Sequence, residues 1–175
     1  MNYRPTGRSI VPLLSCLAFC AIAISPALAS PRPAKPVTLL RSMDVQVDSN
    51  TVWTAIGPFC AIAEWHPAVG SCALDGKSPP TRTLTTRDGA TFVELEVARN
   101  DAEHRYAYSF MSSPLPVSRY TSTFRVVATG KGASRIVWSS TFTPAAGKEQ
   151  AAREALAGIY ESGLAAIKSR LSQPG

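Results

Sequence analysis

The sequence predicts an α+β domain in which an antiparallel sheet grips one long C-terminal helix around a pocket. Two short helical stretches open it: Val52 to Phe59, broken at Gly57-Pro58, and Cys60 to Trp65, ending in Trp65-His66-Pro67. Helices this short build no core alone and suit the lid of something curved. Closely spaced alternating stretches then run to Thr143, as an antiparallel meander requires. After Pro144 the apolar period changes to three and four, the mark of one long amphipathic helix.

Taken in order, the chain begins with Arg4 and Arg8, an apolar run from Ile10 to Ile24, and Ala27-Leu28-Ala29. This is the pattern of a secretory signal peptide, residues 1–29, cleaved near Ala29. The apolar run is shorter than the ~20 residues needed to span a bilayer, so stable membrane insertion is not expected. Residues 30–37 are proline-rich and aperiodic and read as a flexible leader. The domain proper is expected over 38–173, a size able to bury a real core. Export places it in the periplasm or outside the cell.

Thr38 to Val47 reads as a first strand with Met43, Val45 and Val47 on one face. Asp48-Ser49-Asn50 offers helix N-caps, and Trp53, Ile56 and Phe59 begin the lid. Pro67 disfavours helix at His66, so the chain leaves the lid extended through Val69 and Cys72 to Asp75. Arg82 to Arg87 and Thr91 to Ala98 alternate around Asp88-Gly89, a strong hairpin signal. Arg105 to Met111 places Tyr106, Tyr108 and Phe110 on one face. Ser118 to Thr129 and Ala133 to Thr143 are two further strands joined by Gly130-Lys131-Gly132. The final helix carries Leu156, Ile159, Tyr160, Gly163, Leu164, Ile167 and Leu171 as its apolar stripe, with Glu149, Arg153, Glu154, Glu161, Lys168 and Arg170 opposite. Gly158 and Gly163 weaken it and leave space for close packing or for a ligand.

The net charge is +6, but two basic residues fall in the signal segment and the rest are scattered among acidic ones. Nucleic-acid binding needs a clustered basic footprint and is not expected. Cys60 and Cys72 remain after cleavage. An even pair in an oxidising compartment favours a disulfide. Against it, Cys60 starts the second short helix while Cys72 lies well along an extended segment rising ~3.3 Å per residue, and bridged Cα atoms lie ~4.4–6.8 Å apart. The two readings stay open. Neither cysteine has metal-ligand neighbours at useful spacing, and neither a metal nor a cofactor is expected.

The order strand, two short helices, six strands, long helix resembles the helix-grip fold of the START/Bet v 1-like (SRPBCC) superfamily, which includes the polyketide cyclase/dehydrase and lipid-transport proteins. The residues that carry the resemblance are Val52-Trp53, Ile56 and Phe59, then Trp65-His66-Pro67 and Cys72. Arg82-Thr83-Leu84, Asp88-Gly89, Glu94, Tyr106, Tyr108, Pro114-Leu115-Pro116-Val117, Tyr120, Trp138 and Phe142 continue it. It covers nearly all of the domain. Glu96 stands where bacterial relatives commonly carry an apolar residue. Plant abscisic acid receptors share the lid pattern, but Arg87-Asp88-Gly89-Ala90 is a tight hairpin in place of their gate loop, so no hormone-gated switch is implied.

The resemblance implies a cavity between sheet and helix for a small hydrophobic or amphipathic molecule, with a few polar groups fixing orientation. Candidate ligand-binding residues are Trp65, His66, Arg82, Glu94, Tyr106, Tyr108, Tyr120, Trp138 and Tyr160. Arg82 and Glu94 are either a buried pair in the pocket or an exposed cross-strand pair of little worth. A two-residue Asp88-Gly89 loop sets Arg82 opposite Leu95. A bulge or a four-residue loop sets it opposite Glu94, as the resemblance favours. One residue of register decides the face. His66 has the pKa range for acid–base work, yet a His between Trp and Pro suits a structural tie. No nucleophile triad or phosphate loop is visible. Two readings follow: an exported binding protein, or a cyclase- or dehydratase-type enzyme using pocket Arg, Glu, His or Tyr. A periplasmic accessory protein acting on a protein partner is a third.

Overall fold

The computed structural model describes Met1 and residues 35–172, and the fold lies within the unit Pro31–Gly175. The expected signal segment with its cleavage site, most of the leader, and Gln173 fall outside the described residues. Chain order is β1 (Val37–Val45), α1 (Ser49–Ile56), α2 (Ile62–Trp65), β2 (Val69–Leu74), β3 (Thr81–Thr86), β4 (Thr91–Asn100), β5 (Arg105–Ser112), β6 (Val117–Gly130), β7 (Ala133–Pro144) and α3 (Glu149–Leu171). The sheet is seven-stranded and antiparallel throughout, in the order β1-β7-β6-β5-β4-β3-β2. This is the expected helix-grip architecture.

Period-two alternation explains the sheet. On β7, Ser134, Ile136, Trp138, Ser140 and Phe142 are buried while their neighbours are not. The buried face meets α3, whose Ala152, Leu156, Tyr160, Gly163, Leu164 and Ile167 recur at helical spacing. Glu149 in its first turn and Lys168 and Arg170 in its last complement the helix dipole. Arg41 Nε donates to Glu161 Oε1 (2.6 Å) across β1 and α3, and Arg170 Nη1 donates to the Glu64 carbonyl (3.0 Å), tying α3 to α2. Gly163 permits close packing, since an added Cβ would sit 2.7 Å from His66 Cδ2 and 3.0 Å from Trp138. Gly158 is exposed and faces no neighbour within 4 Å.

The lid is fastened at several points. Asp48 caps α1 by accepting from Asn50 N–H (2.9 Å). Trp53 Nε1 donates to Asp101 Oδ1 (2.9 Å) in the turn after β4, and the Arg99 guanidinium lies 5.4 Å from the Trp53 ring centroid. Glu96 is turned inward and its charge is met by Arg99 (3.2 Å), which accounts for a carboxylate on that face. Phe59 and Cys60 fall in the turn between α1 and α2, not in a helix.

Cys60 and Cys72 form a disulfide with Cα atoms 5.5 Å apart. The distance argument against it fails because the chain reverses after α2. Val69 N–H donates to the His66 carbonyl (3.1 Å), and β2 then runs back past Cys60 instead of away from it. The β3–β4 hairpin also departs from the simple reading. Thr86 N–H donates to Ala90 O (2.9 Å), closing a loop of Arg87, Asp88 and Gly89, with Gly89 at φ +89°. This is neither a two- nor a four-residue loop, and Gly89 supplies the left-handed residue it needs. The register that results sets Arg82 directly opposite Glu94.

Candidate functional site: an aromatic cavity with one buried ion pair

Register places both charges of the pair on the concave face. Arg82 is 0 % and Glu94 4 % exposed. Arg82 Nε donates to Glu94 Oε2 (2.5 Å), and its Nη1 donates to the Phe59 carbonyl in the lid turn. The guanidinium carbon lies 4.0 Å from the Phe59 ring centroid and 5.0 Å from that of Tyr108. Nη2 is buried with no hydrogen-bond partner among the described residues. Burial works against the Arg82 charge, but the Glu94 carboxylate holds it firmly protonated. Burial pushes the Glu94 carboxyl above its ordinary range, with Arg82 pulling it back in part.

The imidazole of His66 is committed on both sides. Ala68 N–H can only donate, so Nδ1 accepts from it (3.2 Å). The Ile159 carbonyl can only accept, so Nε2–H donates to it (3.0 Å). The ring is therefore the neutral Nε2–H tautomer, tying the lid exit to α3. Burial lowers its pKa, the Ile159 carbonyl raises it less, and the Arg82 charge adds to the lowering.

A hydroxyl network crosses the cavity floor. Trp138 Nε1–H is shared between Tyr108 Oη (3.0 Å) and Ser122 Oγ (3.1 Å). Ser122 donates its proton to the Ser139 carbonyl (2.9 Å). Tyr120 Oη lies 2.6 Å from Tyr160 Oη and 3.3 Å from Tyr108 Oη. Burial holds Tyr108, Tyr120 and Tyr160 above the ordinary phenol range, so they stay neutral donors. Trp138 stacks on Tyr160 with centroids 4.4 Å apart.

The cavity bounded by these groups has a volume of about 70 Å³. Six of the nine residues expected from the sequence line it: His66, Glu94, Tyr108, Tyr120, Trp138 and Tyr160. Three do not. Arg82 is engaged by Glu94 on the neighbouring strand and by the Phe59 carbonyl of the lid turn. Tyr106 is taken up by Phe59 and Phe124, at centroid distances of 5.5 Å and 5.6 Å. Trp65 stacks on Phe124 (5.7 Å). Arg82 and Tyr106 share the concave face of the sheet, and Trp65, which belongs to α2, is part of the lid that covers that end. The sequence reading missed Phe92, Phe110 and Leu84, which also line the cavity, though alternation with Glu94, Tyr108 and Arg82 puts each on the same face. The rim is formed by half-buried Phe92, Phe110, Thr86 and Ile159 and by exposed Ala68, whereas the floor is fully buried. Ligand pockets commonly enclose ~300–1,000 Å³, so a larger guest requires that rim to move. No cluster of three metal-ligating side chains occurs among the described residues.

An antiparallel sheet folded over a C-terminal helix, with an aromatic cavity between them, defines a helix-grip domain of the Bet v 1-like class. The chain belongs to the polyketide cyclase/dehydrase and lipid transport family, whose pattern matches residues 36–172. It is similar to an uncharacterized protein from Bacillus thuringiensis, with 34% identity and a TM-score of 0.74 over 78% of this chain and 100% of that one. It is also similar to the Zhui aromatase/cyclase of a Streptomyces species (17% identity, TM-score 0.64, 78% and 94% covered). Norcoclaurine synthase from Thalictrum flavum gives 15% identity and a TM-score of 0.67, with 83% and 99% covered. These last two share the fold. No curated protein matches the chain.

Proposed function

We propose that this chain is an exported binding protein that holds a small hydrophobic or amphipathic molecule between the sheet and α3 without reacting with it. The observation that carries this reading is the mutual satisfaction of the cavity's acid–base groups. Both His66 nitrogens are engaged, the tyrosine hydroxyls bond one another, and Glu94 is neutralised by Arg82. What remains is mostly apolar wall, which suits burial of apolar surface. The signal-like N-terminus and the Cys60–Cys72 disulfide both fit an oxidising compartment. No helix among the described residues is long and apolar enough to cross a membrane.

A cyclase- or dehydratase-type enzyme has one observation in its favour, the Glu94 carboxyl with its pKa raised by burial. Native mass spectrometry of protein released from its source by osmotic shock tests the binding reading. The expected result is a chain starting at Ser30 that carries a small apolar molecule. A chain starting at Met1 in the membrane fraction contradicts export. A bare chain, even after incubation with apolar extracts, contradicts binding. Conversion of the retained molecule by the purified protein favours the enzyme.

A further inference from the structure

The cavity of about 70 Å³ has a neighbour. Where β5 turns into β6 lies an open groove of about 320 Å³. Phe110 and Tyr120 line both spaces. Their rings stack with centroids 3.7 Å apart and planes 7° from parallel, so one aromatic pair stands between the inner space and the outer. Tyr120 is buried, and its hydroxyl is held by Tyr160 (2.6 Å). Phe110 is half-buried and held by packing alone, so a change of its rotamer joins the two spaces. Joined, they reach the ~300–1,000 Å³ of an ordinary ligand site, which the inner cavity by itself does not.

The two spaces differ in chemistry. The inner wall is mostly aromatic and aliphatic, whereas the groove carries Ser112, Ser113, Ser118 and Arg119. Ser113 Oγ accepts from Leu115 N–H (3.0 Å), which leaves its own O–H to donate. Arg119 is the one charged residue lining the groove; it is exposed and makes no ion pair among the described residues. It reaches the groove through a break in the strand. Regular alternation would turn Arg119 and Tyr120 to opposite faces of β6. Between Ser118 and Thr121 the register against β7 shifts, and Arg119 takes a left-handed backbone at φ +51°. A bulge of this kind re-aims a side chain, and both residues line the same groove.

We propose that the groove is the head-group subsite of the binding site, and that the ligand is an amphipathic anion: a carboxylate held by Arg119, with an apolar tail that passes Phe110 into the inner cavity. This rests on the binding reading above and names its ligand class. A free guanidinium with serine hydroxyls beside it suits a single carboxylate, which it takes through two parallel hydrogen bonds. No carboxylate among the described residues lines the groove to oppose the guest, and Arg119 repels a cationic head. Arg119 is then a specificity-determining residue and Phe110 the gate between head and tail.

Isothermal titration calorimetry at pH 7 and low salt with octanoate, 1-octanol and octylammonium, which share a tail and differ in head, tests this. The expected result is that octanoate binds more tightly than octylammonium and that its affinity falls as salt is raised. Arg119→Asn, which tolerates the left-handed backbone, should weaken octanoate about five-fold or more, the worth of a well-formed exposed ion pair, and should move 1-octanol much less. Leu156→Phe, which fills the inner cavity from α3, should weaken octanoate and 1-octanol alike. Octanoate unaffected by Arg119→Asn, or bound no better than octylammonium, overturns the head subsite and leaves the binding cavity standing. Loss of octanoate in Arg119→Asn with no effect of Leu156→Phe overturns the joined site. If Leu156→Phe does not fold, acetate decides that point in the native protein, since acetate binding as tightly as octanoate overturns the joined site. Binding of none of the three octyl compounds overturns this inference and the reading it rests on.

Discussion

Arg82 is charged, fully buried and held by Glu94, the Phe59 carbonyl and two aromatic faces, so loss of either member of its ion pair leaves a buried charge alone. Arg82→Met and Glu94→Met should each destabilise the fold by ~3–5 kcal/mol, and the double change should recover much of that. Denaturant melts of the three variants measure it, and small additive effects would contradict the buried pair. The sequence narrowed this question to a single residue of register. It did not settle it, because Asp88-Gly89 fits more than one loop length and only the closure between Thr86 and Ala90 selects one. His66 gives the matching pH prediction. Burial lowers its folded-state pKa from the ordinary 6.5, so the folded state prefers the neutral ring. The stability it contributes is complete above pH 6.5 and is lost as pH falls through the folded pKa. Thermal melts should show a loss on acidification that is smaller in His66→Gln, which cannot titrate. Equal pH profiles would contradict the assignment.

At the scale of elements, the lid depends on covalent and close-packed fastening more than on helix propensity. The helix α2 has four residues and no side-chain cap. Removing the disulfide with Cys60→Ser/Cys72→Ser should cost ~2–4 kcal/mol, seen as a lower midpoint in denaturant melts of oxidised protein. An unchanged midpoint would contradict a structural bridge. The two helix glycines should behave oppositely. Gly163→Ala drives a methyl into His66 and Trp138 and should destabilise by ~1–3 kcal/mol. Gly158→Ala meets open space and should stabilise by ~0.5–1 kcal/mol. The same melts check both. Periodicity made α3 and most strands legible, Pro67 pointed to the extended β2, and Asp48-Ser49-Asn50 offered the caps of α1, of which Asp48 is the one used. The disulfide was not legible, because whether β2 runs away from Cys60 or back past it depends on the reversal after His66, a tertiary event with no local signature.

For the whole molecule, the antiparallel meander and the single long helix were readable from close strand spacing and from the change of apolar period after Pro144, whereas the spacing said nothing of the pairing of β1 with β7. The cavity was readable in part. Alternation put Tyr106, Tyr108 and Phe110 on one face, but it left the face of Arg82 and Glu94 open, and nothing in the spacing showed that the lid, Trp65 included, would cover Arg82 and Tyr106 while leaving the far end open between Phe92, Phe110 and Ile159. That division between covered and open ends is what the proposed binding reading of the sheet–helix space rests on. Titration of an apolar fluorescent probe into the native protein and into Leu156→Phe, which fills the cavity from α3, tests it most directly. The account predicts saturable binding of one probe per chain, weakened about ten-fold or more in the filled variant, a difference of ~1.4 kcal/mol or greater. Absence of saturable binding, or equal affinity in the two proteins, would contradict it.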